Sequence, residues 1–206
     1  PPNAGFEASE LADGDFTNFG EGGWSIGYYT LPDLDTWAAS EGDGSGGIWN
    51  PSVDDYPGEA PGGENVGWAG PFDGYDTGLT QVLSVTLAAD TQYVLSVEVG
   101  NPSWSDAPGA ARLEIHAGGV LLAASDSIPG PDLGTFVSHS LVYDSGADPA
   151  QLGETLEIRL LCEGIGGAER DFDEVSFVVA GPTAEVPTLT EWGMICLALL
   201  LVSLGV

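Results

Sequence analysis

Paired acidic residues are the first side chains in this sequence whose types and spacing could do chemistry. Asp33 with Asp35 and Asp54 with Asp55 resemble the two carboxyl groups that a glycosidase places on either side of the bond it cleaves. The chain contains 32 Asp and Glu residues, however, so pairs at this spacing arise by chance. These pairs therefore predict no catalytic site.

Histidine offers equally little for catalysis. Ser138 and His139 provide a nucleophile beside a base, but neighbours on a strand point to opposite faces of the sheet. His116 is the only other histidine and no cysteine cluster accompanies it, so a zinc site is not expected. No glycine-rich nucleotide-binding motif occurs. The sequence predicts a protein that is not an enzyme.

The loop 13–17 is a candidate for binding a metal ion. Its Asp13 and Asp15 alternate, and alternate side chains of a tight loop converge, which suits the oxygen ligands of calcium. The loop is not an EF-hand, because Asn18 stands where the glycine should be and Trp24 where the glutamate should be. The alternative interpretation is a solvated acidic surface.

Aromatic side chains in loops are a second candidate for binding. They lie in the Gly-, Asp- and Pro-rich region 8–75, and the four selected are Trp37, Trp49, Trp68 and Tyr75. Such rings can stack on the apolar faces of sugars. The same residue types also cover small cores beneath loops and line subunit interfaces, and this second interpretation is favoured.

The charge of the chain excludes one large class of partner. Its 206 residues carry 32 acidic and 3 basic side chains, a formal net charge of −29, and no lysine. Without a basic patch the protein cannot release counterions from phosphates, so nucleic acid is not an expected partner. The acidity suits cation binding, a saline medium or solubility. The hydrophobic content of 43 % argues against disorder.

The elements that must position these side chains are strands. Apolar residues occupy every second position from Tyr93 to Val99, with Gln92, Ser96 and Glu98 on the other face, which is the period of a half-buried strand. Many short segments of this kind, separated by turns and without a helical stretch, predict an all-β antiparallel sandwich for residues 1–180. The inward rows are Leu83, Val85 and Leu87; Tyr93, Leu95, Val97 and Val99; Leu113 and Ile115; Leu156, Ile158, Leu160 and Cys162; and Val175, Phe177 and Val179.

Outward positions on these strands carry the charges, with Arg112, Glu114 and His116 as the clearest example. The two cysteines are expected to be buried free thiols, Cys162 on an inward strand face and Cys196 in the apolar tail.

The chain ends in a linker, residues 181–187, and an apolar segment, residues 188–206. Leu and Ala dominate the last 13 residues, which predicts a short helix. That helix would measure about 20 Å against about 30 Å for a bilayer core, so it is short for a membrane span. The residues expected to anchor or assemble the protein are Met194, Ile195, Leu197, Leu199, Leu200, Leu201 and Leu204.

The junction between linker and tail resembles the IPTL-CTERM sorting signal, a relative of the PEP-CTERM signals of exosortase systems. It departs from that pattern by Val186 in place of Ile and by lacking a closing basic cluster. The resemblance implies a secreted protein of a Gram-negative-type bacterium, located at the cell surface or in the extracellular matrix. The motif residues are Pro187, Thr188, Leu189, Glu191, Trp192 and Gly193.

The rest of the chain resembles carbohydrate-binding modules of the galactose-binding-like superfamily. Three segments carry the resemblance: residues 3–7 (Asn-Ala-Gly-Phe-Glu), residues 23–24 (Gly-Trp) and residues 172–175 (Phe-Asp-Glu-Val). It implies a jelly roll whose first and last strands pair, with a structural calcium ion approached by Glu7 and Asp173.

These observations together predict a non-enzymatic structural or adhesive protein that self-assembles, as a filament or matrix subunit, through its apolar tail. Lipid is the alternative cover for that tail. The alternative function is a carbohydrate-binding module that recognises polysaccharide through loop Trp and Tyr residues.

Overall fold

A computed structural model describes residues 5–7, 11–16, 24–29 (backbone only), 46–71, 76–105, 107, 109–164 and 168–181. All regular structure in this part of the chain is β-strand, and no helix occurs in it. The strands are β1 (Trp24–Tyr29), β2 (Gly46–Trp49), β3 (Val66–Ala69), β4 (Asp76–Thr86), β5 (Gln92–Asn101), β6 (Gly109–Ala117), β7 (Val120–Ala124), β8 (Ile128–Pro129), β9 (Thr135–Asp144), β10 (Thr155–Gly164) and β11 (Arg170–Ala180).

The strands form two antiparallel sheets. Sheet A has five strands in the order β2-β3-β11-β5-β9, and sheet B has six, in the order β1-β4-β10-β6-β7 with β8 beside β6. Apart from β2 with β3 and β6 with β7, neighbouring strands are not consecutive in the sequence, so the chain crosses repeatedly between the sheets. The predicted all-β antiparallel sandwich is confirmed.

The core lies between the inner faces of the two sheets. Tyr93, Leu95, Val97 and Val99, the predicted inward row of β5, are all at most 1 % exposed. Each such side chain stabilises the fold by about 1.5–3 kcal/mol. Alternation along the longer strands therefore located the core correctly except at the end of β11, where Val179 is 44 % exposed.

Three strands, β1, β2 and β3, lie in the region 8–75 that the sequence predicts as loops. β2 and β3 have four residues each, and all of them are buried. Because such a segment is covered on both faces, it shows no alternation from which a strand could be predicted. Trp49 and Trp68 consequently lie on strands rather than on loops.

The segment 5–7 lies beside the last strand, although the described residues form a turn there. The Phe6 ring packs in the core directly against Gly67. A Cβ at position 67 would come within 2.5 Å of this ring, so only glycine fits there. A Cβ at Gly5 would lie 3.5 Å from the Oδ1 atom of Asp173. The start of the chain is thus placed against β11.

The outer face of sheet B carries a buried ion network. Glu114 is bound by Arg112, with Nε 3.1 Å from Oε1, and by His116, with Nε2 2.8 Å from Oε2. These side chains point away from the core, as predicted, but Glu114 is 0 % exposed and His116 2 %. Mutual pairing makes this burial tolerable.

Several predictions fall outside the described residues. They concern Trp37, Tyr75, Cys196, the linker after Gly181, the sorting motif and the apolar tail with its helix, and they stay predictions. Cys162 is a buried free thiol, as expected. Within the part of the chain that the structure describes, no helix is long and apolar enough to cross a membrane.

Candidate active site

One row of residues crosses the outer face of sheet A. Hydrogen-bonded register places Gly47, Trp68, Asp171, Gly100 and Phe136 side by side on β2, β3, β11, β5 and β9. Residues directly opposite one another in an antiparallel ladder share a face, so the side chains of this row meet. Asp171 has Trp68 on one side and Gly100 on the other, and Gly47 lies beyond Trp68.

Gly100 is required for the packing above it. A Cβ at this position would come within 2.4 Å of the Phe136 ring and 2.6 Å of the Tyr56 hydroxyl oxygen. The Tyr56 and Phe136 rings pack with centroids 4.4 Å apart. With this space open, the Tyr56 hydroxyl donates a 2.6 Å hydrogen bond to Oδ2 of Asp171.

Two loops hold Tyr56 in place. In the first, the Ser52 hydroxyl donates to Oδ2 of Asp55 at 2.6 Å and the Tyr56 amide donates to the Ser52 carbonyl at 3.0 Å. In the second, the Ser103 amide donates to the Asp55 carbonyl at 3.2 Å, and this loop also carries Trp104. Tyr56 is 1 % exposed as a result.

An aromatic pocket of about 230 Å³ opens beside this row. The ring pairs are edge-on, with centroids 6.3 Å apart both for Phe16 with Trp68 and for Trp49 with Trp104. Phe16 and Trp104, at the rim, are more than half exposed, whereas Trp49 and Trp68 are buried. Among the described residues that line this pocket, Glu169 is the only acid.

Glu169 and Asp171 are two residues apart along an extended segment and therefore share a face. Burial, followed by the nearby negative charge of Asp171, raises the pKa of Glu169 to about 10. Burial also raises the pKa of Asp171, to about 7, against the lowering effect of its hydrogen bonds with Tyr56 and Glu169. The pair therefore retains a proton at neutral pH.

Arg170 lies between the two acids but points to the other face of β11. Its guanidinium donates to Oδ1 of Asn101 at 2.9 Å and to the carbonyl of Gly109 at 2.5 Å. Its charge lowers the pKa of both acids, but less than burial raises it. None of the ion pairs found among the described residues includes Glu169 or Asp171.

The predicted calcium ligands Glu7 and Asp173 meet at one loop. Asp173 accepts hydrogen bonds from the amides of Gly62 and Glu174, both at 2.7 Å. Glu7 accepts at Oε1 from the amides of Glu64, at 3.0 Å, and Asn65, at 2.8 Å. Burial raises the pKa of Asp173 to about 7, and the charges of Glu174 and Glu7 act in the same direction.

Asp13 and Asp15 do not join that pair. Asp13 lines a separate cavity of about 460 Å³, and Asp15 holds its loop to Asn50 through backbone hydrogen bonds. In the described part of the chain, no group of three or more His, Cys, Asp or Glu side chains could hold a metal ion.

Sequence reasoning missed most of this site. Of the four predicted aromatics, Trp49 and Trp68 meet in the aromatic pocket, and the other two lie outside the described residues. A usable signal was the acid at every second position in 169–173 (Glu-Arg-Asp-Phe-Asp), which predicts an acidic face on one strand. The residues that were not predicted are Phe16, Tyr56, Trp104, Phe136, Glu169 and Asp171.

Comparison with known proteins shows similarity to a group of cyclases. Residues 2–178 match the family model described as HpiC1-like, HpiC1 cyclase. An apo-form cyclase from Fischerella sp. is 27 % identical with a TM-score of 0.74, over 88 % of this chain and 95 % of that one. No curated protein matches the sequence.

Two further similar structures contain ligands. The Stig cyclase Fisc from Fischerella sp. TAU, in complex with (3Z)-3-(1-methyl-2-pyrrolidinylidene)-3H-indole, is 27 % identical with a TM-score of 0.74, over 88 % of this chain and 96 % of that one. A cyclase from Fischerella sp. TAU in complex with 4-(1H-indol-3-yl)butan-2-one is 26 % identical with a TM-score of 0.72, over the same shares of both chains.

The likeness to carbohydrate-binding modules concerns the fold alone. TmCBM61 in complex with β-1,4-galactotriose is 14 % identical with a TM-score of 0.52. The cyclase matches therefore overturn three predictions: a structural or adhesive filament protein, a carbohydrate-binding module, and the absence of enzyme activity. The prediction of no enzyme failed because it discounted acidic pairs as chance occurrences among 32 acidic residues and did not consider Glu169 and Asp171.

Proposed function

We propose that this chain, which belongs to the HpiC1-like cyclase family, is an acid-catalysed cyclase that closes a ring on an unsaturated, indole-bearing substrate. The observation that carries the proposal is the Glu169–Asp171 carboxyl pair at the wall of the aromatic pocket. A carboxyl group that stays protonated at neutral pH inside an apolar pocket can act as a general acid towards a bound substrate.

Glu169 is the donor in this proposal, because it lines the pocket whereas Asp171 is 0 % exposed. In this proposal the proton stays on Glu169, because burial raises the pKa of Glu169 to about 10 and that of Asp171 only to about 7. Tyr56 donates to Asp171 and so fixes the orientation of the acceptor carboxylate.

The reaction begins with transfer of this proton to a π bond of the substrate. The carbocation that results is stabilised by the faces of Trp49 and Trp68, each such contact contributing about 0.5–2 kcal/mol. A second π bond of the substrate attacks the cation and forms the new carbon–carbon bond. Loss of a proton to the carboxylate of Glu169 restores the enzyme, so the net reaction is an isomerisation.

The ligands of the two similar cyclases support indole as the aromatic part of the substrate. A cavity of about 230 Å³ lies somewhat below the usual range for drug-sized ligands, about 300–1,000 Å³. The exposed rings of Phe16 and Trp104 extend this cavity towards solvent. They would contact the part of a larger substrate that projects from it.

A structural calcium ion between Glu7 and Asp173 is part of the proposal. The carboxylates of Glu7 and Asp173 both bind backbone amides of the loop 62–65, and calcium prefers oxygen ligands. Backbone carbonyls would have to complete the set, because too few side chains converge. Calcium should raise the melting temperature and a chelator should lower it. A Glu7→Gln variant that responds to calcium as the native protein does would contradict this site.

The substrate class is tested by binding of 4-(1H-indol-3-yl)butan-2-one, measured by isothermal titration calorimetry. Saturable binding that weakens by at least about tenfold in Trp68→Ala supports the proposal, as expected for loss of a buried aromatic contact. The matched control is Tyr143→Ala, which removes a ring from the far end of sheet A. Equal affinities in both variants would contradict binding in the aromatic pocket.

A further inference from the structure

Glu169 lies just outside the hydrogen-bonded ladder of sheet A. Strand β11 begins at the next residue, Arg170, which pairs with Ala69 of β3. No strand pairing among the described residues therefore includes the backbone of Glu169. A displacement of about 1 Å at a reacting group can lower a rate about a hundredfold, so a proton donor at this position needs other contacts to hold it.

A buried serine binds the amide of Glu169. This amide donates a 3.1 Å hydrogen bond to Oγ of Ser105, which lies 64 residues earlier in the chain and is 1 % exposed. The Ser105 amide donates to the Pro102 carbonyl at 3.0 Å, so a turn holds the serine in place. Trp104, the neighbouring residue, lines the aromatic pocket. One loop therefore carries both a wall of the pocket and a contact to the acid.

The guanidinium of Arg170 binds the carbonyl of Glu169. It also donates to Oδ1 of Asn101 at 2.9 Å and to the carbonyl of Gly109 at 2.5 Å. A Cβ at Gly130 would come within 2.3 Å of Nη2 of Arg170, so glycine is needed there to leave room for this group. Because Arg170 has three acceptors and is 3 % exposed, its guanidinium is fixed and can hold the Glu169 carbonyl in one place.

We propose that Ser105 and Arg170 form a clamp on the backbone of Glu169 that positions its carboxyl group at the wall of the aromatic pocket. Both are positioning residues, because neither is among the described residues that line the pocket. The inference rests on the proposed role of Glu169 as the proton donor. It predicts that turnover depends on two side chains that bind the backbone of the donor and lie outside the pocket.

Ser105→Ala tests the amide side of the clamp. It removes the acceptor of the Glu169 amide, so kcat for an alkenyl-substituted indole should fall about tenfold to a hundredfold. The affinity for 4-(1H-indol-3-yl)butan-2-one, measured by isothermal titration calorimetry, should stay native because the aromatic rings remain. The matched control is Ser145→Ala, since Oγ of Ser145 accepts a 3.0 Å hydrogen bond from the Thr91 amide at the far end of sheet A. This variant loses the same kind of bond and should keep native kcat.

Arg170→Lys tests the carbonyl side and decides the question if Ser105→Ala does not fold. Lysine keeps the positive charge but lacks the planar fork with which arginine binds several acceptors. We therefore expect kcat to fall while the affinity for 4-(1H-indol-3-yl)butan-2-one stays native.

Hydrogen exchange tests the clamp without turnover. The Glu169 amide should be protected in the native protein and in Ser145→Ala, and it should exchange faster in Ser105→Ala. The clamp would be overturned by an unprotected Glu169 amide in the native protein, or by an equal loss of kcat in Ser145→Ala. Native kcat in folded Ser105→Ala and Arg170→Lys, with Glu169→Gln inactive, would also overturn it. Native kcat in Glu169→Gln would instead overturn the proposed role of the acid itself, and the clamp with it.

Discussion

Two buried carboxylates on opposite outer faces of the sandwich differ in their partners. Glu114 on sheet B and Asp171 on sheet A are both 0 % exposed. Glu114 lies between Arg112 and His116, so its carboxylate has a guanidinium cation on one side and an imidazole nitrogen on the other. Asp171 has the neutral hydroxyl of Tyr56 and a second acid, Glu169.

This difference distinguishes a structural ion pair on sheet B from a pair of acids on sheet A that can donate a proton. A buried charge paired with cations holds strands together, and removing one member leaves the other uncompensated. Acids buried beside one another cannot both ionise, so they retain a proton that a substrate can receive. The chain has only three arginines, two of which, Arg112 and Arg159, lie on the sheet B face. The active-site face is left without a directly paired cation among the described residues.

The largest expected effect is the loss of activity when the acid pair is broken. Glu169→Gln and Asp171→Asn should each lower kcat by about 10²–10⁴-fold, which is the usual contribution of a positioned proton donor. Steady-state kinetics at neutral pH provide the measurement. Glu154→Gln, an exposed position outside the pocket, is the control and should retain native kcat. Native activity in Glu169→Gln would remove this residue from the mechanism.

Glu114→Gln should do the reverse, with a large loss of stability and little change in chemistry. Removing one partner of a buried ion pair costs about 3–5 kcal/mol. Urea unfolding should show this decrease, while kcat of the protein that remains folded stays native. If Glu169→Gln lost as much stability as Glu114→Gln, the contrast between the two faces would be wrong.

Tyr56→Phe should have a moderate effect on activity. The substitution removes the 2.6 Å hydrogen bond to Asp171 and keeps the ring that packs on Phe136. Loss of one such bond is worth about 1.5–3 kcal/mol, or roughly tenfold to a hundredfold in rate. Tyr143→Phe, at the far end of the same sheet, is the matched control. Equal rates in the two variants would mean that Tyr56 does not orient the acid.

The last expected effect is a pH dependence of stability. The pKa of Glu169 is 4.5 ordinarily and about 10 in the folded protein, so the folded state binds more protons than the unfolded state between these values. The free energy of unfolding should therefore fall as pH rises through this range. Glu169→Gln should flatten that slope in urea unfolding measured at several pH values. A slope as steep as that of the native protein would contradict burial of a protonated Glu169.

The sequence predicts the fold better than the site because of how each is encoded. The alternation of Tyr93, Leu95, Val97 and Val99 is a local pattern, and burial of these residues confirms it. The short strands that carry Trp49 and Trp68 are buried on both faces and have no such pattern. Strand prediction therefore succeeds where one face of the strand is exposed to solvent and fails where both faces are buried.

The acid pair was hidden for a different reason. Glu169 and Asp171 are two of 32 acidic residues, and nothing local distinguishes them. Their role depends on Tyr56, which is 115 residues from Asp171 in the chain, and on the space above Gly100. Only the register of sheet A brings these residues together.

The most direct test of the central claim is turnover of an alkenyl-substituted indole in D₂O. Mass spectrometry and NMR should show a cyclised isomer with deuterium bound to carbon, formed by the native protein and by Glu154→Gln. Glu169→Gln should form none above background. A cyclised product without carbon-bound deuterium, or equal product from Glu169→Gln, would contradict proton transfer from the acid pair.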